Sequence, residues 1–172
     1  MQTKADDRDQ IDDLWDEEEE ETGRTTKYLL FRLGEELYGI NIMNVTEIIE
    51  MQRITDVPDM PSYIRGVINL RGKVIPLMDL RRRFGMSDRD YDDRTCIIVT
   101  SIDQASLGLI VDTVAEVHDI PHDEVESAPS FSDSEKNHYV EGVGKLGDRI
   151  TILIDARKIL HGRELQAVTD QL

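Results

Sequence analysis

Apolar residues along this chain recur in short bursts, not at sustained helical spacing. Residues 27–33 alternate loosely, Gly34-Glu35-Glu36 interrupts them, and apolar positions resume over 37–43; this predicts two short strands joined by a tight turn. Val45, Ile48 and Ile49 fit a helical turn and a third strand equally well, and period alone does not decide between them. Pro58 and Pro61 bar helix just before them, and Pro61 is placed to open a short helix through Tyr63 and Ile64. Residues 74–80 read as an apolar strand, with Pro76 suited to an edge or a bulge. Residues 81–84 follow as a helical turn ended by Gly85. Strands at 96–100, 107–111 and 150–154, then a helical turn over 155–161 stopped by Gly162, complete the pattern, while 128–137 is polar and reads as a surface loop.

The bursts come in two copies. RGVINLRGKVIPLMDLRRRFG (65–85) meets EGVGKLGDRITILIDARKILH (141–161) at a shift of 76, with Gly66 on Gly142, Leu70 on Leu146, Asp79 on Asp155 and Arg81 on Arg157. Earlier in each copy the shift is 69: Tyr38-Gly39-Ile40 falls on Leu107-Gly108-Leu109, and Val45-Thr46-Glu47-Ile48 on Val114-Ala115-Glu116-Val117. The change of shift is absorbed between His118 and Glu141. A repeat of this size implies two copies of one small unit, approximately 27–90 and 91–162. Each is near the lower size limit for a lone stable domain, so the two are expected to share an interface. Short strands, frequent glycine and little helix predict an all-β pair of small barrels. Whether the first strand pairs in its own half or crosses to the other is left open.

Composition narrows the function. The chain has 172 residues and a net charge of −16, which opposes nucleic-acid binding through phosphate contacts. Only 5% of residues are aromatic, so aliphatic side chains must fill the core. Residues 1–26 carry 11 acids against 3 bases and read as a disordered acidic tail; 163–172 reads as a second tail. In the first tail Ile11, Leu14 and Trp15 share one helical face, either incidentally or as a docking segment. No apolar run is long enough for a membrane helix and no signal pattern opens the chain, so a cytoplasmic protein is expected. The single cysteine, Cys96, allows no intrachain disulfide. His118 and His122 flank Pro121, which opposes the helical spacing a metal pair needs, so no metal and no cofactor are expected.

Candidate chemistry is sparse. Residues 65–83 hold six bases (Arg65, Arg71, Lys73, Arg81, Arg82, Arg83) against Asp79 alone. These charges either solvate strand ends and pair internally or recognise carboxylates and carbonyls of a partner. Arg71 is singled out because the second copy has Gly147 there, so a task peculiar to the first half is indicated. Glu47 and Glu116 sit at equivalent positions inside apolar stretches, on an outer strand face or at an interface. Asp79 and Asp155 suggest an acid–base dyad from duplicated halves, but Leu80 and Ala156 follow them in place of the small residues an aspartic protease uses. Helix capping explains both more simply. No phosphate-cradling loop or nucleophile elbow is present.

The segments YLLFRLGEELYGINIMNVTEII (28–49), YIRGVINLRGKVIPLMDLRRRFG (63–85), LGLIVDTVAEV (107–117) and YVEGVGKLGDRITILIDARKIL (139–160) resemble the bacterial chemotaxis coupling proteins of the CheW family. The resemblance covers about 27–162 and leaves the acidic tail outside. It implies two five-stranded SH3-like β-barrel subdomains with short helices. It also implies a non-catalytic adaptor that couples chemoreceptors to the histidine kinase CheA in receptor arrays at the inner face of the membrane. Carried over residue by residue, Val45, Glu47, Gly66, Arg71 and Val117 match receptor-linked positions. Leu29, Ile42 and Val45 match an apolar kinase-contact surface, and Phe131 a second kinase contact. Glu126 departs from the family, standing where some members carry a base. A coupler for a non-motility pathway fits the same residues.

Overall fold

In the first strand, Thr25–Leu33 (β1), residues alternate between two destinations and both are buried. Leu29, Phe31 and Leu33 enter one apolar cluster, while Tyr28 and Leu30 enter another. That is the signature of a strand covered on both faces, and it organises the whole molecule. The structure, a computed structural model, describes residues 24–127 and 139–159. The acidic tail with Trp15, residues 128–138 with Phe131 and the expected surface loop, and the C-terminal segment lie outside the described residues.

Ten further strands follow: β2 (Glu36–Asn41), β3 (Val45–Glu50), β4 (Ile64–Leu70), β5 (Lys73–Asp79), β6 (Cys96–Ile102), β7 (Ala105–Val111), β8 (Thr113–Pro121), β9 (Val125–Ser127), β10 (Val140–Leu146) and β11 (Arg149–Ile154). Short helices α1 (Leu80–Arg83) and α2 (Ala156–Ile159) follow β5 and β11. The stretch with alternative readings at 45–49 is therefore a strand. Turns replace the short helix expected from Pro61, because Ile64 already joins β4. Pro76 is at neither an edge nor a bulge. It lies in an interior strand opposite Val67, which turns its own N–H and C=O away toward Thr55 at 2.9 Å. Opposite such a pair the ladder asks no N–H of Pro76, and pairing with β7 begins only at Leu77.

The two sheets run in the orders β8-β1-β2-β11-β10-β9 and β3-β6-β7-β5-β4. Each contains a hairpin from the other half of the chain: β1–β2 joins the second-half strands and β6–β7 joins the first-half strands. The crossing is symmetrical. Gly39 of β2 stands parallel to Leu153 of β11, and Gly108 of β7 stands parallel to Leu77 of β5. A Cβ at either glycine would meet that leucine's Cδ2, at 2.9 and 2.5 Å, so any larger residue would force the fully buried leucine to shift.

The sheets form two SH3-like subdomains, one of five strands and one with the three-residue β9 as a sixth. In the first subdomain a single bridge, Thr55 to Val67, replaces β9. Three cores result. Ile68, Ile75, Leu77, Ile97, Val99 and Ile110 fill the first barrel. Tyr28, Leu30, Leu37, Ile120 and Leu153 fill the second. The largest cluster, including Leu29, Phe31, Ile98, Leu109 and Ile154, lies between them and draws on both halves.

Candidate partner-binding site

The first subdomain gathers four of the marked residues where the two ends of its sheet meet. Strand β3 alternates, with Val45, Glu47 and Ile49 half-buried and Thr46, Ile48 and Glu50 exposed. A bulge between Val45 and Glu47 sets Glu47 opposite Val99 of β6. At the other end of the sheet, β4 and β5 are joined by the two-residue turn Arg71-Gly72, with φ of 51° and 83°. Two positive φ values in succession match the turn that suits the right-handed twist of a hairpin. The Asn69 side chain accepts the Gly72 N–H at 2.9 Å.

Arg71 donates from its guanidinium to the Glu47 carboxylate, so this ion pair ties β4–β5 to β3. The Thr55–Val67 bridge closes the same seam. Magnitudes decide what the pair is for. A non-glycine residue in the left-handed region costs about 1–2 kcal/mol, and an exposed ion pair returns about 0–1 kcal/mol. Arg71 therefore adds no net stability where glycine would do better, and its side chain remains 71% exposed. The turn thus holds an arginine in a left-handed backbone with its guanidinium open to solvent.

Gly66 works differently. At φ 146° it is buried, and a Cβ there would lie 2.2 Å from the Thr55 carbonyl oxygen. Gly142 meets the Glu126 oxygen at 2.6 Å in the same way. Both glycines let the chain pass beside the bulge of their strand, so Gly66 supports the seam from within and presents no side chain to a partner.

The remaining marked residues are spread out. Val117 is exposed on β8 in the second subdomain, beside Leu29 of β1. Leu29 is buried in the central core with 1% exposure and offers no outer surface. Ile42 opens a 3-10 turn capped by Asn41, whose side chain accepts the Met43 N–H at 3.0 Å; Ile42 and Val45 are half-buried against the central core. Phe131 lies outside the described residues. Glu126, the departure from the family pattern, pairs with Lys145 at 2.9 Å, a contact that holds its carboxyl below the ordinary value.

The rest of the basic run is engaged internally. Arg81 donates to Asp112 at 2.7 Å through Nε, and Arg82 donates to Asp88 at 3.1 Å. Lys73 donates to the Ser106 hydroxyl at 2.8 Å, and Arg65 stacks 5.7 Å from the Tyr91 ring centroid. Asp112 also accepts from Arg89 and from the Gly34 N–H. Burial pushes its pKa up, but these donors and the Arg81 charge outweigh burial and hold it below the ordinary value. Asp79 and Asp155 each cap their own helix, accepting the Arg81 and Arg157 N–H at 2.9 Å, and Asp79 also accepts the Tyr91 hydroxyl at 2.8 Å. Both carboxylates are thus committed to structure.

Two arrangements went unmarked in the sequence. One is the Asp112 cluster; Asp112 sits at the crossing from β7 to β8, a position equivalent to the exposed Met43. The other is Arg83, whose guanidinium stacks between Tyr63 and Tyr139 at 5.4 and 5.2 Å and whose Nε donates to the Ile159 carbonyl at 2.9 Å. Tyr63 and Tyr139 are repeat equivalents, as are positions 83 and 159, so the clamp sits on the pseudo-two-fold relation. The shift of 76 was the signal that could have paired them.

Comparison with known proteins is consistent with this geometry. A model of the CheW-like domain matches residues 27–164. The chain is 37% identical over 142 residues to a chemotaxis protein CheW of Klebsiella aerogenes, covering 83% of this chain and 86% of that protein. It is 35% identical to the Bacillus subtilis chemotaxis protein CheW, covering 84% and 94%. Among solved structures it resembles the scaffolding protein TtCheW of Thermoanaerobacter tengcongensis, with a TM-score of 0.75, 37% identity and coverage of 82% and 96%.

Proposed function

Because the chain belongs to the CheW-like family of chemotaxis scaffolding proteins, we propose that it joins chemoreceptor tips to the regulatory domain of the kinase CheA. It acts as a scaffold and not as an enzyme, so its output is the geometry in which it holds its partners. The observation that carries the receptor side is Arg71, a strained, exposed arginine pinned to Glu47 where glycine would cost less. A receptor carboxylate or carbonyl approaching this turn competes with Glu47 for the guanidinium fork. Val45 and Val117 supply apolar contacts on either side of the subdomain junction, and Gly66 keeps the seam beneath Arg71 in register.

On the kinase side, Ile42 and Val45 form the outer surface, Leu29 backs it from the core, and Phe131 belongs to a second contact. A ligand that favours one packing of the two subdomains shifts the kinase only by its differential affinity for the two packings. Arg83, stacked between the equivalent tyrosines, stands where such a change would register. Receptors would bring the protein to the inner face of the membrane; among the described residues no helix is long and apolar enough to cross one.

The test is a three-component pull-down with a receptor-tip fragment and the kinase regulatory domain. Arg71→Ala is expected to lose receptor capture while keeping the kinase domain and the unfolding midpoint. Wild-type receptor affinity in that variant would refute the receptor side.

A further inference from the structure

The two barrels place equivalent residues around equivalent mouths, yet close them differently. Glu47 stands opposite Val99 after a bulge, and Glu116 stands opposite Leu30 after the corresponding bulge. Leu70 and Lys73 flank the first hairpin turn as a register pair, and Leu146 and Arg149 flank the second. Arg71 and Gly147 therefore occupy the same point, at φ 51° and 59°. In the first barrel the Arg71 side chain lies across the mouth onto Glu47, whose own side chain is only 26% exposed.

In the second barrel no side chain leaves Gly147, and nothing stands within 4 Å of where its Cβ would be. An open pocket of about 300 Å³ remains, lined by Glu116, His118, Glu124, Lys145, Gly147 and Arg149. Glu116 is 63% exposed there, with only the His118 imidazole, 3.9 Å away and charged only when protonated, beside its carboxylate. The two cations on its rim do not exclude a third. Lys145 is paired with Glu126 at 2.9 Å, and Arg149 is the counterpart of Lys73, beside which Arg71 already sits. A second carboxylate tips the balance. Counting back two residues from the matched pair Thr55 and Glu126, the first half carries Arg53 and the second carries Glu124.

We propose that this pocket receives an arginine side chain from a partner protein, which makes in trans, at Glu116 and Glu124, the ion pair that Arg71 makes in cis at Glu47. The planar fork of a guanidinium spans two carboxylates where an ammonium meets them as a point charge.

The full-length protein, labelled with nitrogen-15, is titrated with acetyl-Gly-Arg-Gly-amide and, separately, with the lysine and citrulline analogues. Saturable shifts are expected at the amides of Glu116, Glu124 and residues 145–147, with the arginine peptide strongest and the citrulline peptide inert. Glu116→Gln should weaken binding roughly three- to tenfold. Gly147→Arg should abolish it by filling the pocket from within; Arg71 already shows that an arginine is accommodated in this backbone conformation. Absence of saturable shifts, unchanged affinity in Glu116→Gln, or equal binding of the lysine or citrulline peptide would overturn the proposal. Neither receptor nor kinase enters this test, so it stands or falls apart from the coupling function.

Discussion

The two subdomains are built on one template and differ where side chains leave it. Gly39 and Gly108, Gly66 and Gly142, and the helix caps Asp79 and Asp155 are matched pairs with matched contacts. Arg71 and Gly147, Arg83 and Ile159, and Met43 and Asp112 are equivalent positions with different residues. The matched set lies in strand packing and caps, and the unmatched set lies at turns, crossings and the junction. Duplication thus fixed how the chain folds, while divergence at the rims gave each subdomain its own surface.

The comparison breaks most severely at the matched glycines. Gly66→Ala should cost about 3 kcal/mol or more, since its Cβ would lie 2.2 Å from a carbonyl oxygen at φ 146°. Gly142→Ala should cost less, about 1–2 kcal/mol, because its φ is not positive and the opposing strand is the short β9. Chemical denaturation of the two variants would rank them, and equal losses would mean the two seams are mechanically identical.

Next comes the unmatched crossing. Asp112→Ala should lose about 3 kcal/mol, as it leaves the largely buried Arg81 without its carboxylate. Met43→Ala, at an equivalent position 85% exposed, should change stability by less than about 0.5 kcal/mol. Because the folded pKa of Asp112 lies below its ordinary 3.8, the stability it contributes is present above that value and is lost as pH falls through the folded one. Acid titration of the unfolding free energy should therefore be shallower in the variant below about pH 4.

Arg83→Ala should cost about 1–2 kcal/mol through two lost cation–π contacts and the hydrogen bond to Ile159. Arg83→Lys should recover only part of that loss. Arg71→Gly is small in stability and the most telling: it should gain about 0.5–1 kcal/mol by relieving the left-handed strain, while receptor capture is lost. A loss of both would return Arg71 to a structural role.

Strands β1, β2, β5, β6, β7 and β11, the turn after β1 and the doubling were readable from the sequence, because an uninterrupted apolar burst marks each of those strands; β4, β8, β9 and β10 went unmarked, their apolar positions being broken up by glycine or charge. Hairpin exchange was not readable either, since either pairing satisfies the same alternation. Its trace was the near-continuous burial of β5, where Ile75 through Asp79 are all buried, as suits a strand covered on both faces. The change of shift also resolves into two parts. Thr55 and Glu126 sit opposite Val67 and Val143, a shift of 71 between 55 and 126, so two of the extra residues fall in the longer β8 and its turn and five fall between Glu126 and Gly142. Arg71 and Glu47 were each marked, but not their pairing, because they lie at opposite ends of a sheet that only closure brings together. The expected helix after Pro61 failed because Ile64 is drawn into β4, which outweighs a local capping signal.

The exchanged hairpins have an evolutionary reading. A lone ancestral unit with this connectivity would have left its first two strands projecting, and a second copy was the natural acceptor. The reciprocal crossing is the geometry of a domain-swapped dimer whose two chains have become one. Within one chain the two copies are free of the symmetry that a homodimer must obey, so one turn can hold arginine and its twin glycine.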